Sequence, residues 1–232
     1  MLHRPVEVDI SPEAPTTNRI EQYIAFVQKA DKRQLLIDLI EGQMVACGIV
    51  FTRTKHGANR LAKQLSKVGI PSDSIHGDKS QTARTRALNA FRNGDVFILV
   101  ATDIASRGID VEDITHVFNF DLPNEPEVYI HRIGRTARAG RDGLAYSFCD
   151  ETESGYLVGI QRLLGEEIEV LEDQPYHFEK ARPKPGQKPG RVKGAPVGGR
   201  SRRGTGRGGS MRRYNRGGQK RNEHNQRSNG QR

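Results

Sequence analysis

The chain has 232 residues, enough for one sizeable domain with a tail or for two small domains. Its formal charge of +9 is unevenly spread: residues 179–232 carry 17 Lys/Arg and 2 Asp/Glu, whereas residues 1–178 carry 20 and 26. No apolar run reaches the roughly 18 residues that span a bilayer, and the N-terminus MLHRPVEVD lacks the apolar core of a secretory signal. We therefore expect a soluble, cytoplasmic protein without a membrane partner, in which Cys47 and Cys149 are reduced core residues.

Residues 1–19 contain three prolines and read as an extended linker. From Ile20 onward, short apolar runs alternate with helical patterns, which predicts a parallel sheet with helices on both faces over residues 20–174. The strands are predicted at 20–27, 47–51, 70–75, 97–101, 114–120 and 144–149, with a weak edge at 168–171. The helices are predicted from a cap at Asp31 to a stop at Gly42, over 55–68, from a cap at Ser80 to Gly94, and over 125–132 and 157–164.

Polar residues follow several of the predicted strands. Ligands of parallel sheets bind at the carboxyl ends of the strands, so these residues are candidates for a binding site. They are Thr52, Arg53, His76, Gly77, Thr102 and Asp103.

Residues 129–143 read YIHRIGRTARAGRDG and place four arginines three positions apart. A helix would stack these cations on one side, where they repel each other. Either an anion binds there, or acidic groups elsewhere in the fold surround the cluster, or the run is a solvated basic face. Phosphate is the favoured anion because a guanidinium offers a planar fork of donors. The four residues are Arg132, Arg135, Arg138 and Arg141.

Residues 175–232 are rich in Lys, Arg, Gly, Pro, Asn and Gln, so we expect disorder. A GxGxxG match at residues 204–209 is accidental, because no predicted strand precedes it. The segment carries Arg-Gly-Gly at Arg207 and Arg216, and we expect it to bind RNA phosphates without sequence preference. The alternative is a solubilising linker.

Four motifs resemble, in order and spacing, the C-terminal half of a DEAD-box RNA helicase, most like the bacterial RhlE-like branch. They are IVFTRT at 49–54, HGDKSQTARTRALNAFRNG at 76–94, VATDIASRGIDV at 100–111 and HRIGRTARAG at 131–140. The resemblance implies a RecA-like fold. Ala137 departs from the family's usual Gly; we expect little effect, because Ala is the better helix former.

The resemblance implies a role for each matching residue. Arg135 and Arg138 would be arginine fingers that reach the γ-phosphate of ATP, and His131 would couple the nucleotide site to RNA. Asp110 would bond the ribose, with Gly108 letting the backbone approach. The residues implied in holding the RNA backbone are Arg53, Thr54, Gly77, Gln81, Arg84 and Thr102.

Several of these residues have ordinary structural alternatives. Asp110 could be a turn residue, Thr102 could cap the following turn, and His131 could be a partly buried histidine. Gln81 and Arg84 could be plain first-turn residues of a helix.

The sequence has no GxxxxGK[ST] phosphate loop, no Asp-Glu-Ala-Asp and no Ser-Ala-Thr. The resemblance places these in an N-terminal RecA-like partner domain that would hold ATP and Mg²⁺, so we expect the isolated chain to hydrolyse ATP no faster than background. Two other functions stay open: a non-catalytic RNA-binding or annealing module that acts without ATP, and a DNA translocase of the same superfamily.

Overall fold

A computed structural model describes residues 19–106, 111, 113–138 and 141–190. The predicted linker, the basic tail beyond residue 190, and the residues Gly108, Asp110, Arg207 and Arg216 lie outside this range. The strands are β1 (Ile20–Phe26), β2 (Gly48–Phe51), β3 (Ser72–Ile75), β4 (Ile98–Ala101), β5 (His116–Asn119), β6 (Gly143–Cys149) and β7 (Glu169–Val170). The helices are α1 (Lys32–Gly42), α2 (Lys55–Lys67), α3 (Gln81–Arg92), α4 (Asp103–Ser106), α5 (Pro126–Ile133) and α6 (Ser154–Leu164), followed by a 3-10 turn at Glu179–Ala181.

The seven strands form one sheet in the order β3-β4-β2-β5-β6-β1-β7, with every pair of neighbouring strands parallel. The predicted RecA-like α/β architecture is confirmed. Each helix returns the chain to the same end of the sheet, so the carboxyl ends of β3, β4, β2 and β5 lie side by side.

Helices cover both faces of the sheet, as predicted. One face packs against α1 and α2 through Leu36, Leu61 and Leu65. The opposite face packs against α3, α5 and α6, where Phe91 and Tyr129 are large core residues. The central strands β2 and β4 are buried at every position, which explains why they appear as continuous apolar runs in the sequence.

The ends of the helices differ in detail from the predicted caps. Ser80 caps α3, because its hydroxyl accepts a hydrogen bond from the Ala83 amide at 3.2 Å. Asp31 occupies the N-cap position of α1, but its side chain makes no capping hydrogen bond. Gly42 was predicted to stop α1, yet it is the last helical residue, and Met44 takes the left-handed conformation with φ of 48°. None of the described helices is long and apolar enough to cross a membrane.

The packed chain extends past the predicted boundary at residue 174. Residues 175–190, which we name the strap, run back over the domain: the Phe178 amide donates to the Phe26 carbonyl at 2.9 Å, and Ala181 is fully buried. The Gly190 amide donates to the Gly155 carbonyl at 2.8 Å. A low average hydrophobicity favoured disorder here, but a few apolar side chains and backbone hydrogen bonds are enough to hold the strap. The expectation of disorder from residue 175 is therefore wrong for residues 175–190.

Candidate functional site

Backbone hydrogen bonds connect the loops at the carboxyl edge of the sheet. The Thr102 amide donates to the Ile75 carbonyl at 3.3 Å, and the Thr52 amide donates to the Ala101 carbonyl at 3.0 Å. These bonds join the first residues after β4 and β2 to the ends of their neighbouring strands. The structure thus brings together the predicted residues that follow β2, β3 and β4, and gives them a rigid base.

Arg53 makes several contacts at the end of β2. Its Nη2 donates to Glu153 Oε1 at 2.6 Å and to the Leu122 carbonyl at 3.0 Å. Its guanidinium lies 5.4 Å from the ring centre of Tyr156, and its side chain keeps 41% of its surface exposed. The guanidinium is therefore held in place while part of it still faces solvent.

Thr54 has a structural role that sequence reasoning did not assign. Its hydroxyl accepts a hydrogen bond from the Gly57 amide at 3.0 Å, which makes it the N-cap of α2. The Thr54 hydroxyl is thus used to start the helix. A contact between this hydroxyl and RNA, as predicted, would have to form alongside the capping hydrogen bond.

A buried charge network lies behind Arg53. Lys32 is fully buried, and its Nζ contacts Glu153 and lies 3.1 Å from Asp150 Oδ2 and 3.1 Å from the Phe120 carbonyl. Burial raises the pKa of the Glu153 carboxyl, and Lys32 opposes that shift. Sequence reasoning missed this network, because Lys32 and Glu153 are 121 positions apart and each resembles an ordinary surface residue.

The first turn of α3 lies beside this edge. Gln81 is exposed, and Arg84 is half-buried with its Nη2 3.4 Å from the Ala105 carbonyl of α4. Gly77 is exposed in the turn that follows β3. The helix N-terminus adds partial positive charge, so amides, a hydroxyl and a guanidinium converge at the ends of β3 and β4.

The four arginines of residues 129–143 do not share one helix face, because α5 ends at Ile133 and Gly134 is its C-cap. Arg132 is buried and pairs with Asp103, and Arg141 pairs with exposed Asp113. For these two arginines, acidic groups elsewhere in the fold are the partners, as one of the sequence-based alternatives allowed.

Arg135 and Arg138 lie in the turn after α5 and are half-buried. Arg138 Nε donates to the Gly134 carbonyl at 3.2 Å, and no carboxylate of the described residues forms an ion pair with Arg138. Burial lowers the pKa of the Arg135 guanidinium, and the nearby charge of Arg138 lowers it further. Two cations therefore sit close together in a partly desolvated place, which suits an anion. His131 is exposed on α5.

The turn between these two arginines is fixed by a buried threonine. Thr136 Oγ1 donates to the Ile114 carbonyl at 2.6 Å, and a Cβ on Gly143 would lie only 2.8 Å from the Cβ of Thr136. Ala137 is buried and has a φ of 56°, in the left-handed region that favours glycine. Our expectation that Ala137 matters little because it favours helix rests on the wrong conformation, since this residue is in a turn.

No group of three or more His, Cys, Asp or Glu side chains in the described part of the chain could hold a metal ion. Gly108 and Asp110 lie outside the described residues, so Arg135 and Arg138 are the described members of the predicted nucleotide site.

Residues 31–140 match the model of the helicase conserved C-terminal domain. The ATP-dependent RNA helicase CshA of Listeria monocytogenes is 38% identical over 171 residues, covering 74% of this chain and 33% of the relative. The ATP-dependent RNA helicase DbpA of Bacillus subtilis is 40% identical over 184 residues, covering 79% of this chain and 38% of the relative. The chain spans about a third of the length of these relatives.

Two solved structures share both fold and sequence with the chain. The Escherichia coli DEAD-box protein SrmB, solved bound to regulator of ribonuclease activity A, matches with a TM-score of 0.62 and 36% identity, covering 74% of this chain and 97% of that one. The Saccharomyces cerevisiae protein Dbp5, solved with RNA and ADP BeF3, matches with a TM-score of 0.62 and 34% identity, covering 68% of this chain and 42% of that one. The chain therefore belongs to the family of helicase C-terminal domains found in DEAD-box proteins.

Proposed function

We propose that this chain is the C-terminal half of an ATP-dependent DEAD-box RNA helicase, in the RhlE-like branch. It completes an ATP site that an N-terminal RecA-like domain supplies, and it binds the RNA backbone at the carboxyl edge of its sheet. The observation that carries the proposal is the separation of the arginine run into two structural members, Arg132 and Arg141, and two members in a partly desolvated turn, Arg135 and Arg138.

Arg135 and Arg138 would hold the γ-phosphate of ATP, and Asp110 and Gly108 would hold the ribose side of the nucleotide. ATP, with the Mg²⁺ held by the N-terminal domain, would supply the free energy for the cycle. The guanidinium of an arginine finger stabilises charge that spreads over the transferred phosphoryl group, which is worth roughly 10³ to 10⁵ in rate in GTPases. The position of both arginines in one half-buried turn after α5 supports this assignment.

The RNA backbone would lie across the ends of β2, β3 and β4. Thr102, Gly77 and the first turn of α3 with Gln81 and Arg84 offer a hydroxyl, amides and a guanidinium, the groups that contact phosphate and sugar without reading sequence. Arg53 would contribute its exposed part while Glu153 holds the rest. Dbp5 was solved with RNA bound, which supports this choice of ligand by family likeness.

Closure of the two domains would couple these sites. The closed state would place Arg135 and Arg138 against the γ-phosphate, with His131 between the nucleotide and the RNA, and would bend the RNA enough to separate a short duplex. Nucleotide and RNA can shift the equilibrium only by as much as they prefer the closed state. Return to the open state would release both strands.

The ATP turnover of the isolated chain tests this proposal, because the sequence contains Arg135 and Arg138 but no GxxxxGK[ST] phosphate loop. We expect its ATP turnover to equal background even with saturating RNA. RNA-stimulated turnover by the isolated chain that disappears in Arg135→Ala would contradict the division of labour, since the whole active site would then lie here.

The second candidate is a non-catalytic RNA-binding or annealing module, and the basic residues beyond the strap favour it. Residues 191–232 hold 13 Lys/Arg and one Asp/Glu, and they include Arg207 and Arg216. If they neutralise phosphates, the logarithm of affinity falls with the logarithm of salt by about 0.7 per phosphate. A chain ending at residue 190 should show a flatter salt dependence, and an unchanged slope would reject RNA binding by this segment. Competition between RNA and DNA duplexes, measured on the two-domain protein, separates the helicase from a DNA translocase.

A further inference from the structure

The positive charge of the described domain is concentrated around β3, the outermost strand on one side of the sheet. Residues 52–92 hold nine Lys/Arg and two Asp/Glu, a net of +7, whereas the rest of residues 19–178 holds ten and twenty-one, a net of −11. Neither α2 nor α3 contains an acidic residue. Because these helices pack on opposite faces of the sheet and flank the edge strand β3, this edge is basic within an otherwise acidic domain.

A groove of about 480 Å³ runs along this edge between α2 and β3. On the helix side it is lined by Asn59, Lys63 and Lys67, which lie four positions apart and so form one row. On the strand side it is lined by Ser72 and Ser74. We name this surface the α2–β3 groove.

The base of the groove is preformed. Ser66 Oγ donates to the Ser72 carbonyl at 3.1 Å, and Ser74 Oγ donates to Asn59 Oδ1 at 2.7 Å, so side chains fix the helix to the strand. Asp73 is the acidic residue in the lining, and Lys79 neutralises it at 2.7 Å. The serine hydroxyls of the lining are used in internal hydrogen bonds, so what the groove presents to solvent is mainly the positive charge of its lysines.

Lys63 and Lys67 are exposed, and neither forms an ion pair with a carboxylate of the described ranges. Like charges four apart on a helix repel each other and destabilise it. The same row continues to Lys55, which pairs with Asp78 beside Gly77 at the carboxyl edge. From Lys55 to Lys67 the helix rises about 18 Å, so the cations lead away from the strand ends along the groove.

We propose that the α2–β3 groove is a second binding surface for the RNA backbone, which receives the part of the strand that leaves the sheet edge past Gly77. The proposal rests on RNA binding at that edge, and it extends the contact by about two phosphates, one for each of Lys63 and Lys67. The row runs from Lys67 and Lys63 through Asn59 to the Lys55–Asp78 pair at the strand ends. An extended polyanion can follow both surfaces, which favours RNA over an acidic protein.

The test measures binding of the full chain to a six-nucleotide and a twenty-nucleotide oligouridylate. The double variant Lys63→Gln/Lys67→Gln is compared with the control Lys29→Gln/Arg162→Gln, which removes the same charge from exposed positions outside the basic edge. Thermal unfolding of each variant checks that the fold is unchanged. Arg84→Gln reports separately on the strand-end site.

With the longer RNA, the groove variant should lower the salt slope by about 1.4 relative to the control, because each lost phosphate contact removes about 0.7. If the groove variant and the control bind equally at 1 M salt, a slope difference of about 1.4 means that the groove variant binds about 25-fold more weakly than the control at 0.1 M salt. With the six-nucleotide RNA, we expect the groove variant to match the control and Arg84→Gln to bind more weakly.

A groove variant that matches the control on the longer RNA overturns the proposal. The same holds if that variant loses affinity only for a poly-glutamate competitor, which would assign the surface to an acidic protein. If Arg84→Gln changes nothing while the groove variant loses affinity, RNA binds the groove directly. The strand-end site is then rejected, and with it the proposal that the groove extends that site.

Discussion

Asp103 holds Arg132 through two parallel hydrogen bonds, from Nε to Oδ1 at 2.6 Å and from Nη2 to Oδ2 at 2.9 Å. The Nη1 of the same guanidinium donates to the Asp121 carbonyl at 2.7 Å, and the group lies 5.0 Å from the ring centre of Phe51. One arginine of the run thus joins α5 to the ends of three strands, at a position where a phosphate has no room.

The replacement Arg132→Lys should therefore lower the free energy of unfolding by about 2 kcal/mol, because a lysine keeps the charge but cannot reproduce the planar fork. Arg138→Lys is the matched control and should cost less stability, because half-buried Arg138 has one hydrogen bond to the Gly134 carbonyl and no ion pair with a carboxylate of the described residues. Urea unfolding of both variants measures the difference. Equal effects would mean that Arg132 is not the structural member of the run.

Glu153 shares its two oxygens between Lys32 and Arg53. The variant Glu153→Gln leaves the buried Lys32 ammonium with one carboxylate fewer, and breaking a buried ion pair costs about 3 to 5 kcal/mol. We expect a loss near the lower limit, because Asp150 still contacts Lys32. We also expect weaker RNA binding, because Arg53 loses its anchor. The exposed neighbour provides the control Glu151→Gln, and similar stabilities of the two variants would refute the network's role.

Two histidines should make stability depend on pH. Burial, and for His76 also nearby Lys79, lowers the folded-state pKa of His76 and His116 below 6.5. Below pH 6.5 the unfolded chain then binds protons that the folded chain does not, so stability is constant above that pH and falls as the pH drops towards the folded-state values.

Chemical unfolding between about pH 7.5 and about pH 5.5 measures this effect above the range in which ordinary carboxylates titrate. The double variant His76→Gln/His116→Phe should show a flatter profile than the original chain. Subtracting the variant's unfolding free energies from those of the original chain cancels the opposite contribution of Glu153, whose pKa burial raises. A difference that rises on acidification would contradict the sign of both histidine shifts.

The strap can be tested by truncation. A chain that ends at residue 190 should unfold at the same denaturant concentration as the full chain. A chain that ends at residue 174 loses Phe178 and the fully buried Ala181 and should be less stable by about 2 kcal/mol, the value of roughly one buried apolar side chain. If both shortened chains are as stable as the full chain, the strap contributes nothing to stability. The folded domain would then end at residue 174, as composition predicted.

The fold was predictable because local signals agreed with the tertiary structure. The strands β2 and β4 are short apolar runs in the sequence and are buried on both sides in the structure. Ser80 was expected to cap α3 and does so. The helix predicted over 157–164 ends at Leu164, and Gly165 follows it in the left-handed conformation, with φ of 77°.

The site was predictable in part, since strand ends meet at one edge of any parallel sheet. The partners of its residues were not predictable, because they come from distant positions: Arg53 meets Glu153 100 positions away, and Arg132 meets Asp103 across 29. Ala137 escaped prediction for a different reason. Helix propensity is informative only for a residue in a helix, and the turn after Gly134 could not be placed from spacing alone.

The most direct test of the central claim is the RNA-stimulated ATP turnover of the two-domain protein, in which an N-terminal RecA-like domain with its phosphate loop precedes this chain. We expect Arg135→Gln and Arg138→Gln each to reduce turnover by about 10³ or more, while RNA affinity and stability stay unchanged. Turnover that persists at the original rate in both variants would contradict the assignment of these two arginines to a triphosphate.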